Sequence, residues 1–322
     1  MTLYLVVPCY NEEEGIEKSA GILKNYLRVL EEKKMIDSSS RIVFVNDGSS
    51  DRTKDIIEKL HEEDPIFSVI NFSRNYGHQY AVMAGYEFST NKCDACISID
   101  ADLQQDIHAI EEFIQKYNEG NDIVYGVRNT RDTDGAFKRM TSQLFYKIMQ
   151  VFGCNIIPNH ADYRLLSNKV LQALSKFEES TVFLRGMLPS MGYTSTIVYF
   201  DVSDRTEGQS KYTLKKMMTL AGDGITSYST VPVYYIFILG LLLLVSGAVG
   251  LIVTAVLAAF HYSIWILGLV FFGILMTGLV LTANGILGIY LVKCYMEVKR
   301  RPRYLIDTVY HETETSSVKK DL

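Results

Sequence analysis

The sequence predicts an α/β fold with a mostly parallel sheet, followed by a two-helix membrane hairpin. Three observations predict it. Short β-rich runs alternate with helical patterns from the first residues to about residue 127. Polar residues with chemical potential gather where each of those runs stops. Further on, the stretch from Gly224 through Val292 contains no Asp, Glu, Lys or Arg.

The alternation can be followed in order. Strands are expected at Leu3–Val7, Arg41–Asn46, Ser68–Phe72, Ala95–Ile99 and Ile123–Val127. Between them lie helical patterns near Glu13–Glu32, Asp51–Glu62, Gly77–Ser89 and Ile107–Asn118. The segment "GSSDRTKDIIEKL" reads as a turn and cap leading into an amphipathic helix. Strands separated by helices imply parallel pairing, with helices covering both faces of the sheet. Ligands of such sheets sit beyond the carboxyl ends of the strands. The five strand ends read "VPCYNEEE", "VNDGSSD", "FSRNYGHQ", "IDADLQQD" and "YGVRNTRD". One such end is an ordinary solvated loop; five in succession on one edge mark a site. Neither the glycine-rich dinucleotide fingerprint nor a P-loop follows any strand, which weakens both of those readings.

The uncharged stretch divides at "FHYS" (Phe260–Ser263) into Val231–Phe260 and Ile264–Val292. Each piece exceeds the roughly 20 apolar residues that a helix needs to cross the hydrocarbon core. Lys211, Lys215 and Lys216 precede the first piece; Lys293, Lys299, Arg300, Arg301 and Arg303 follow the second. Basic flanks lie on the cytoplasmic side, so the sequence predicts a multi-pass protein of the plasma or inner membrane with both termini inside. The expected organisation is a cytoplasmic α/β domain over 1–210, an interfacial amphipathic helix over 211–229, two spans within 230–293 and a cytoplasmic tail over 294–322. The net charge of -5 argues against a general nucleic-acid partner. Five cysteines, an odd number in a reducing compartment, imply no disulfide framework, and Cys93 and Cys96 read as buried structural thiols.

Asp100 and Asp102 stand one residue apart in "SIDADLQQD", just where the fourth strand should end. Like charges so close are tolerated when water solvates them or when a cation sits between them. The acids of "NEEE" complement the dipole of the following helix, and Glu13 and Glu14 are assigned nothing more. Asp51 is divided between an N-cap and a ligand contact, and His78 is given no role.

The ordered set "VPCYNEE" (Val7–Glu13), "NDGSSD" (Asn46–Asp51), "SRNYGH" (Ser73–His78), "DADLQ" (Asp100–Gln104), "DYRLLS" (Asp162–Ser167) and "RTEGQSKY" (Arg205–Tyr212) resembles glycosyltransferase family two. More narrowly, the chain is similar to the polyprenyl-phosphate glycosyltransferases over nearly its whole length. The resemblance implies a GT-A nucleotide-sugar-binding fold and inverting transfer of a sugar, UDP-glucose favoured, to a polyprenyl phosphate. Asp100 and Asp102 then point the same way from a strand end and suit Mg²⁺ or Mn²⁺, with donor diphosphate completing the coordination. The resemblance adds Gln104 near the metal, and Pro8, Tyr10, Asn11, Glu12, Asp47, Asp100 and Ala101 around the nucleotide. Where the family has two aspartates this chain has Asn46-Asp47.

A phosphate acceptor needs cations more than a base, because its second ionisation lies near pH 6, on the order of one unit below neutrality. Arg128, Arg131, Arg205 and Lys211 are the candidates, with Arg205 equally able to hold the donor diphosphate; Lys138 and Arg139 are further ones. Asp162 takes the acceptor side, orienting the acceptor or acting as its base, so that Asp102, Asp162 and Arg128 form the expected catalytic set. A homo-oligomer assembled through the hairpin is also implied. A processive polysaccharide synthase would need further spans and a QxxRW motif, and the single tryptophan, Trp265, lies within the second span. A non-enzymatic membrane-anchored nucleotide-binding protein would leave the acidic motifs without a task.

Overall fold

The computed structural model describes residues 1–129, 160–179, 181–201, 265–311 and 314–316. They divide into two compact units, a sheet-based unit that includes the segment from Pro302 onward, and a second unit containing the helix that ends at Val298.

The expected alternation is present almost residue for residue: β1 (Leu3–Cys9), α1 (Ile16–Glu32), β2 (Arg41–Asn46), α2 (Thr53–Glu63), β3 (Phe67–Phe72), α3 (His78–Ser89), β4 (Ala95–Ser98), α4 (Ala109–Asn118) and β5 (Ile123–Arg128). The strands form because their apolar residues are covered on both faces; every residue of β1, β3 and β4 is buried. Helix α1 buries Ile16, Ala20, Leu23, Leu27 and Leu30, the three- and four-residue spacing of one helical face. Helix α3 lies so close to β1 that a Cβ on Gly85 would stand 2.3 Å from Val6 Cγ1. Glycine is what permits that approach.

Beyond β5 come β6 (His160–Ser167), α5 (Asn168–Leu174), α6 (Leu184–Ser190), β7 (Ser195–Phe200), α7 (Trp265–Val298), β8 (Ile306–His311) and β9 (Glu314–Ser316). The nine strands run in the order β7-β5-β6-β4-β1-β2-β3-β8-β9. Strands β1 to β4 are mutually parallel, while β6 is antiparallel to both β4 and β5, and β8 is antiparallel to β3. The chain builds outward from β1 through β2 to β3, then returns to place β4 on the other side of β1. The carboxyl ends of β1 and β4 therefore flank the point where strand order reverses, the crevice in which such sheets bind ligands.

The hairpin stands differently. Its first expected helix, Val231–Phe260, lies outside the described residues, as do the interfacial segment 211–229 and the sites Arg131, Arg205 and Lys211. Among the described residues no helix satisfies the length and hydropathy expected of a membrane span, so the hairpin is not shown. Several side chains of α7 lie outside the description, however. Over its whole 34-residue length the helix carries no charge before Lys293. On its described part Val280, Leu287, Ile289, Leu291 and Val292 are exposed. The residues expected as a tail return to the sheet as β8 and β9.

Candidate active site

The loop after β1 begins with Tyr10, 39 % exposed, and Asn11, whose φ of 53° lies in the left-handed region. Asn11 pays for that conformation with bonds to the next loop: its N–H donates to Ser49 Oγ (3.0 Å), and its Oδ1 accepts from the Ser50 N–H (2.8 Å). The Glu12 N–H donates to Thr53 Oγ1 (2.8 Å). Pro8 is buried in β1, and Ala101 is buried beyond β4. Glu13 does more than complement a helix dipole, since its Oε2 accepts from the backbone N–H and Nε of Arg52 (3.1 and 3.2 Å).

Asp51 serves the start of α2. Its Oδ1 accepts from the Thr53 N–H (3.0 Å) and its Oδ2 from the Glu13 N–H (3.2 Å). Partial burial pushes this carboxyl up, but the hydrogen bonds outweigh burial and hold it below the ordinary carboxylate value. Asp47, at the end of β2, is buried and accepts from the N–H groups of Tyr76 (2.7 Å) and Gly77 (2.9 Å to Oδ2). There burial dominates the same kind of bonds, and the carboxyl lies above its ordinary value. Asp47 thus holds the loop after β3 in place. Gly48 fits beneath that loop with φ of 64°, and a Cβ there would stand 2.3 Å from the carbonyl carbon of Arg74.

The held loop delivers His78, first residue of α3, between two acids. Its Nε2 lies 3.8 Å from Asp100 Oδ1 and 3.7 Å from Asp162 Oδ2. Sequence reasoning gave this histidine no role, although "SRNYGHQ" stood among the polar strand ends. Asp100 binds Gln105 at both ends: its N–H donates to Gln105 Oε1 (3.2 Å) and its Oδ2 accepts from Gln105 Nε2. Burial raises the Asp100 carboxyl, His78 opposes the rise, and the charges of Asp162 and Asp102 add to it. Asp102 is exposed, its Oδ1 accepting from the Gln104 N–H (3.3 Å). Leu103, between them, turns through the left-handed region with φ of 45°.

Asp162 is buried on β6 and is the most heavily engaged acid of the site. Oδ1 accepts from Arg164 Nη2, and Oδ2 accepts from Arg185 Nη2 (3.2 Å) and Gln79 Nε2 (3.2 Å). Gln79 Oε1 in turn accepts from the Leu184 N–H (3.3 Å), tying α3 to α6. Arg164 is fully buried, and its Nε and Nη1 have no hydrogen-bond partner among the described residues. Arg128 closes β5 as an exposed residue on the same edge, two strands away from β4. Gln79, Gln105, Arg164 and Arg185 were not foreseen, since nothing in a linear motif marks which distant donor satisfies an acid.

The charge of Asp102 raises the Asp100 carboxyl, so the two carboxylates stand near enough to repel each other. Among the described residues no group of three His, Cys, Asp or Glu side chains could hold a metal. Mg²⁺ and Mn²⁺ need no such cage when substrate phosphates supply ligands, so this pair fits such an ion. The thiols take no part: burial pushes Cys93 up to about 12 and Cys96 well above its ordinary value.

Comparison with known proteins bears on what this edge does. The chain is 40% identical to an uncharacterised glycosyltransferase, YkoT, of Bacillus subtilis (strain 168), over 99% of this chain and 95% of that protein. It is 37% identical to the bactoprenol glucosyl transferase of Shigella phage SfX, over 95% of this chain and 99% of that one. It is 36% identical to a prophage bactoprenol glucosyl transferase homologue of Escherichia coli (strain K12), over 96% and 99%. The family model for glycosyl transferase family 2 matches residues 4–175, the span from β1 through α5 that carries Asp47, Asp100, Asp102 and Asp162. The α/β sheet with its acid-lined edge is accordingly a GT-A-like glycosyltransferase fold, and the chain belongs to glycosyl transferase family 2.

Proposed function

We propose that the chain transfers a sugar, with inversion, from a nucleotide-sugar to a membrane polyprenyl phosphate. The observation that carries this reading is the engagement of Asp162. Its carboxylate is shared among Arg164, Arg185 and Gln79. A carboxylate so held is a poor general base, since protonating it would break charge-assisted bonds. An acceptor that ionises by itself does not need one. A phosphate monoester, already largely dianionic near neutral pH, is such an acceptor.

In this reading an acceptor phosphate oxygen attacks the anomeric carbon while the bond to the nucleoside diphosphate breaks. Asp100 and Asp102 would hold Mg²⁺ or Mn²⁺, which when bound neutralises charge on the departing diphosphate. Gln105 fixes Asp100, and the loops bearing Tyr10, Asn11 and Glu12 enclose the nucleotide. Arg128, Arg131, Arg205 and Lys211 are proposed to hold acceptor or donor phosphates, and Asp162 to orient the acceptor side. The names of the two bactoprenol glucosyl transferase relatives support glucose as the sugar and a polyprenyl carrier as the acceptor. UDP-glucose is the donor proposed.

The uncharged length of α7 and its exposed Val280, Leu287, Ile289, Leu291 and Val292 support placing that helix in a bilayer as one half of a hairpin. The catalytic unit and both termini are then cytoplasmic at the plasma membrane, and a homo-oligomer formed through the hairpin belongs to the same proposal. The test is a donor panel with purified chain and undecaprenyl phosphate, with Mg²⁺, Mn²⁺ or chelator. Metal-dependent product from UDP-glucose is expected, and Asp102→Asn should abolish it while the protein stays folded. Near-normal turnover by Asp102→Asn with metal still required would overturn the metal assignment. Absence of lipid-linked product from every donor would overturn the reading.

A further inference from the structure

The segment that follows α7 does more than complete the sheet. We infer that Arg303–His311 is a positioning element of the donor site, acting through a row of polar side chains headed by Thr308; this rests on the nucleotide-sugar reading above.

Asn46, Asn71 and Thr308 sit in register on three neighbouring strands, Asn46 opposite Asn71 across β2 and β3, and Asn71 opposite Thr308 across β3 and β8. Asn71 Nδ2 donates to Thr308 Oγ1 (2.9 Å) and to Glu58 Oε1 (2.8 Å). Asn46 Nδ2 donates to Asn71 Oδ1 (2.9 Å). Asn46 Oδ1 accepts from the Ser49 N–H (3.0 Å), and Ser49 Oγ accepts from the Asn11 N–H (3.0 Å). Every donor along this path points toward β8, and each of the Asn46 and Asn71 amides accepts at Oδ1 and donates from Nδ2, so within that pair each bond strengthens the next. The path begins at β8 and ends at Asn11, in the loop proposed to hold the nucleotide. Asn46 and Asn71 are each only 1 % exposed, so water cannot replace a lost partner.

The identity of Asn46 matters here. An amide can donate to Asn71 and accept from Ser49 at once, whereas a carboxylate offers acceptors alone. The asparagine is what lets the row run from β8 to the loops without a break.

The same segment grips the loop that carries His78 at both flanks. The Ser73 N–H donates to the Leu305 carbonyl (3.0 Å), and Tyr304 stacks on Phe72 with ring centroids 4.8 Å apart. Arg303 Nη1 and the Tyr304 hydroxyl both donate to Glu87 of α3, and Arg303 Nε donates to the Glu179 carbonyl (2.8 Å). Residues 73 to 77 are thus pinned from β3 on one side and from α3 on the other. Arg303 follows the end of α7 at Val298 by only a short turn. The donor loops are therefore braced by chain that has just left that helix.

The test uses the full-length chain in detergent and measures UDP binding by calorimetry, with thermal unfolding in parallel. Thr308→Val removes the acceptor at the head of the row and keeps the branched shape that suits a strand. UDP affinity should fall about three- to tenfold, the size of coupling between residues in one network. Thr308→Ser, which keeps the hydroxyl, should restore it. Lys59→Gln, at an exposed position of α2 whose Nζ lies 3.5 Å from the exposed Glu63 carboxylate, should leave UDP affinity unchanged. Wild-type affinity in Thr308→Val, or equal loss in Thr308→Val and Thr308→Ser, would overturn the inference. If the wild-type chain binds no UDP while Thr308→Val matches it in every respect, both this inference and the donor assignment fall. If the wild type binds and the valine variant binds equally, the inference alone falls.

Discussion

Asp47 and Asp162 are both buried at the same edge of one sheet, and their surroundings satisfy them in opposite ways. Asp47 receives backbone N–H groups from Tyr76 and Gly77. Asp162 receives side chains, two of them cationic, from three separate elements. The first arrangement spends a carboxylate on shaping a loop; the second spends one on fixing charge. Backbone donors carry only partial charge, so burial wins at Asp47 and its carboxyl lies above the usual range. At Asp162 the guanidinium groups of Arg164 and Arg185 stand directly against the carboxylate.

The largest effect expected from breaking this contrast is at Asp162. Asp162→Ala leaves Arg164 buried with its charge uncompensated, and removing one partner of a buried pair costs about 3–5 kcal/mol. Thermal or denaturant unfolding of the full chain should show that loss, and a change under about 1 kcal/mol, the size of an exposed pair, would mean that the arginines find other partners.

Gly48→Ala attacks the Asp47 side through the backbone. A left-handed residue other than glycine costs about 1–3 kcal/mol, and here the added Cβ also meets the backbone of Arg74. The loop from Arg74 to Gly77 must shift, so nucleotide binding should weaken more than stability does. Calorimetry beside an unfolding curve separates the two, and unchanged nucleotide affinity would show that the loop's position is irrelevant to the site.

The smallest effect is in the acid range and compares Asp47 with Asp51. The folded carboxyl of Asp47 lies above its ordinary 3.8, so the folded state binds that proton more tightly than the unfolded chain. Its contribution to stability therefore falls as pH rises from 3.8 through the folded value. Asp51 lies below 3.8 when folded, so its contribution is present above 3.8 and is lost as pH falls through the folded value. Asp47→Asn should remove a fall in stability as pH rises above 3.8, and Asp51→Asn should remove a fall in stability as pH drops below 3.8, so the two variants change the slope of the stability-against-pH curve in opposite senses on either side of that value. Tilts of the same sign would contradict the contrast.

Most of the parallel sheet was legible because its strands are apolar runs buried on both faces, and nothing competes with that signal. Strand β6 was not, because "HADYRLLS" carries an aspartate and an arginine at alternate positions, and these belong in a buried strand only once Asp162 and Arg164 pair. Strand β8 escaped because "IDTVYH" is half exposed at its place beside β3 and carries little periodic signal. Within the site, the acids were legible as types at strand ends. Their partners were not: the N–H groups on Asp47 come from a loop shape set by Gly48 and Gly77, and Arg185 reaches Asp162 from another helix. His78 was visible in its motif, yet its place between Asp100 and Asp162 depends on how α3 starts. Asp51, divided in sequence between a cap and a ligand contact, is occupied by the N–H groups of Thr53 and Glu13.

In the function proposed, this site serves an acceptor that brings its own ionised oxygen. The most direct measurement compares sugar transfer by the wild-type chain to undecaprenyl phosphate and to undecaprenol, with the same donor, metal and detergent. Product is expected with the phosphate and none above background with the alcohol. Comparable rates with both would contradict it, because the alcohol must lose a proton to a base, and Asp162 is bound to Arg164, Arg185 and Gln79.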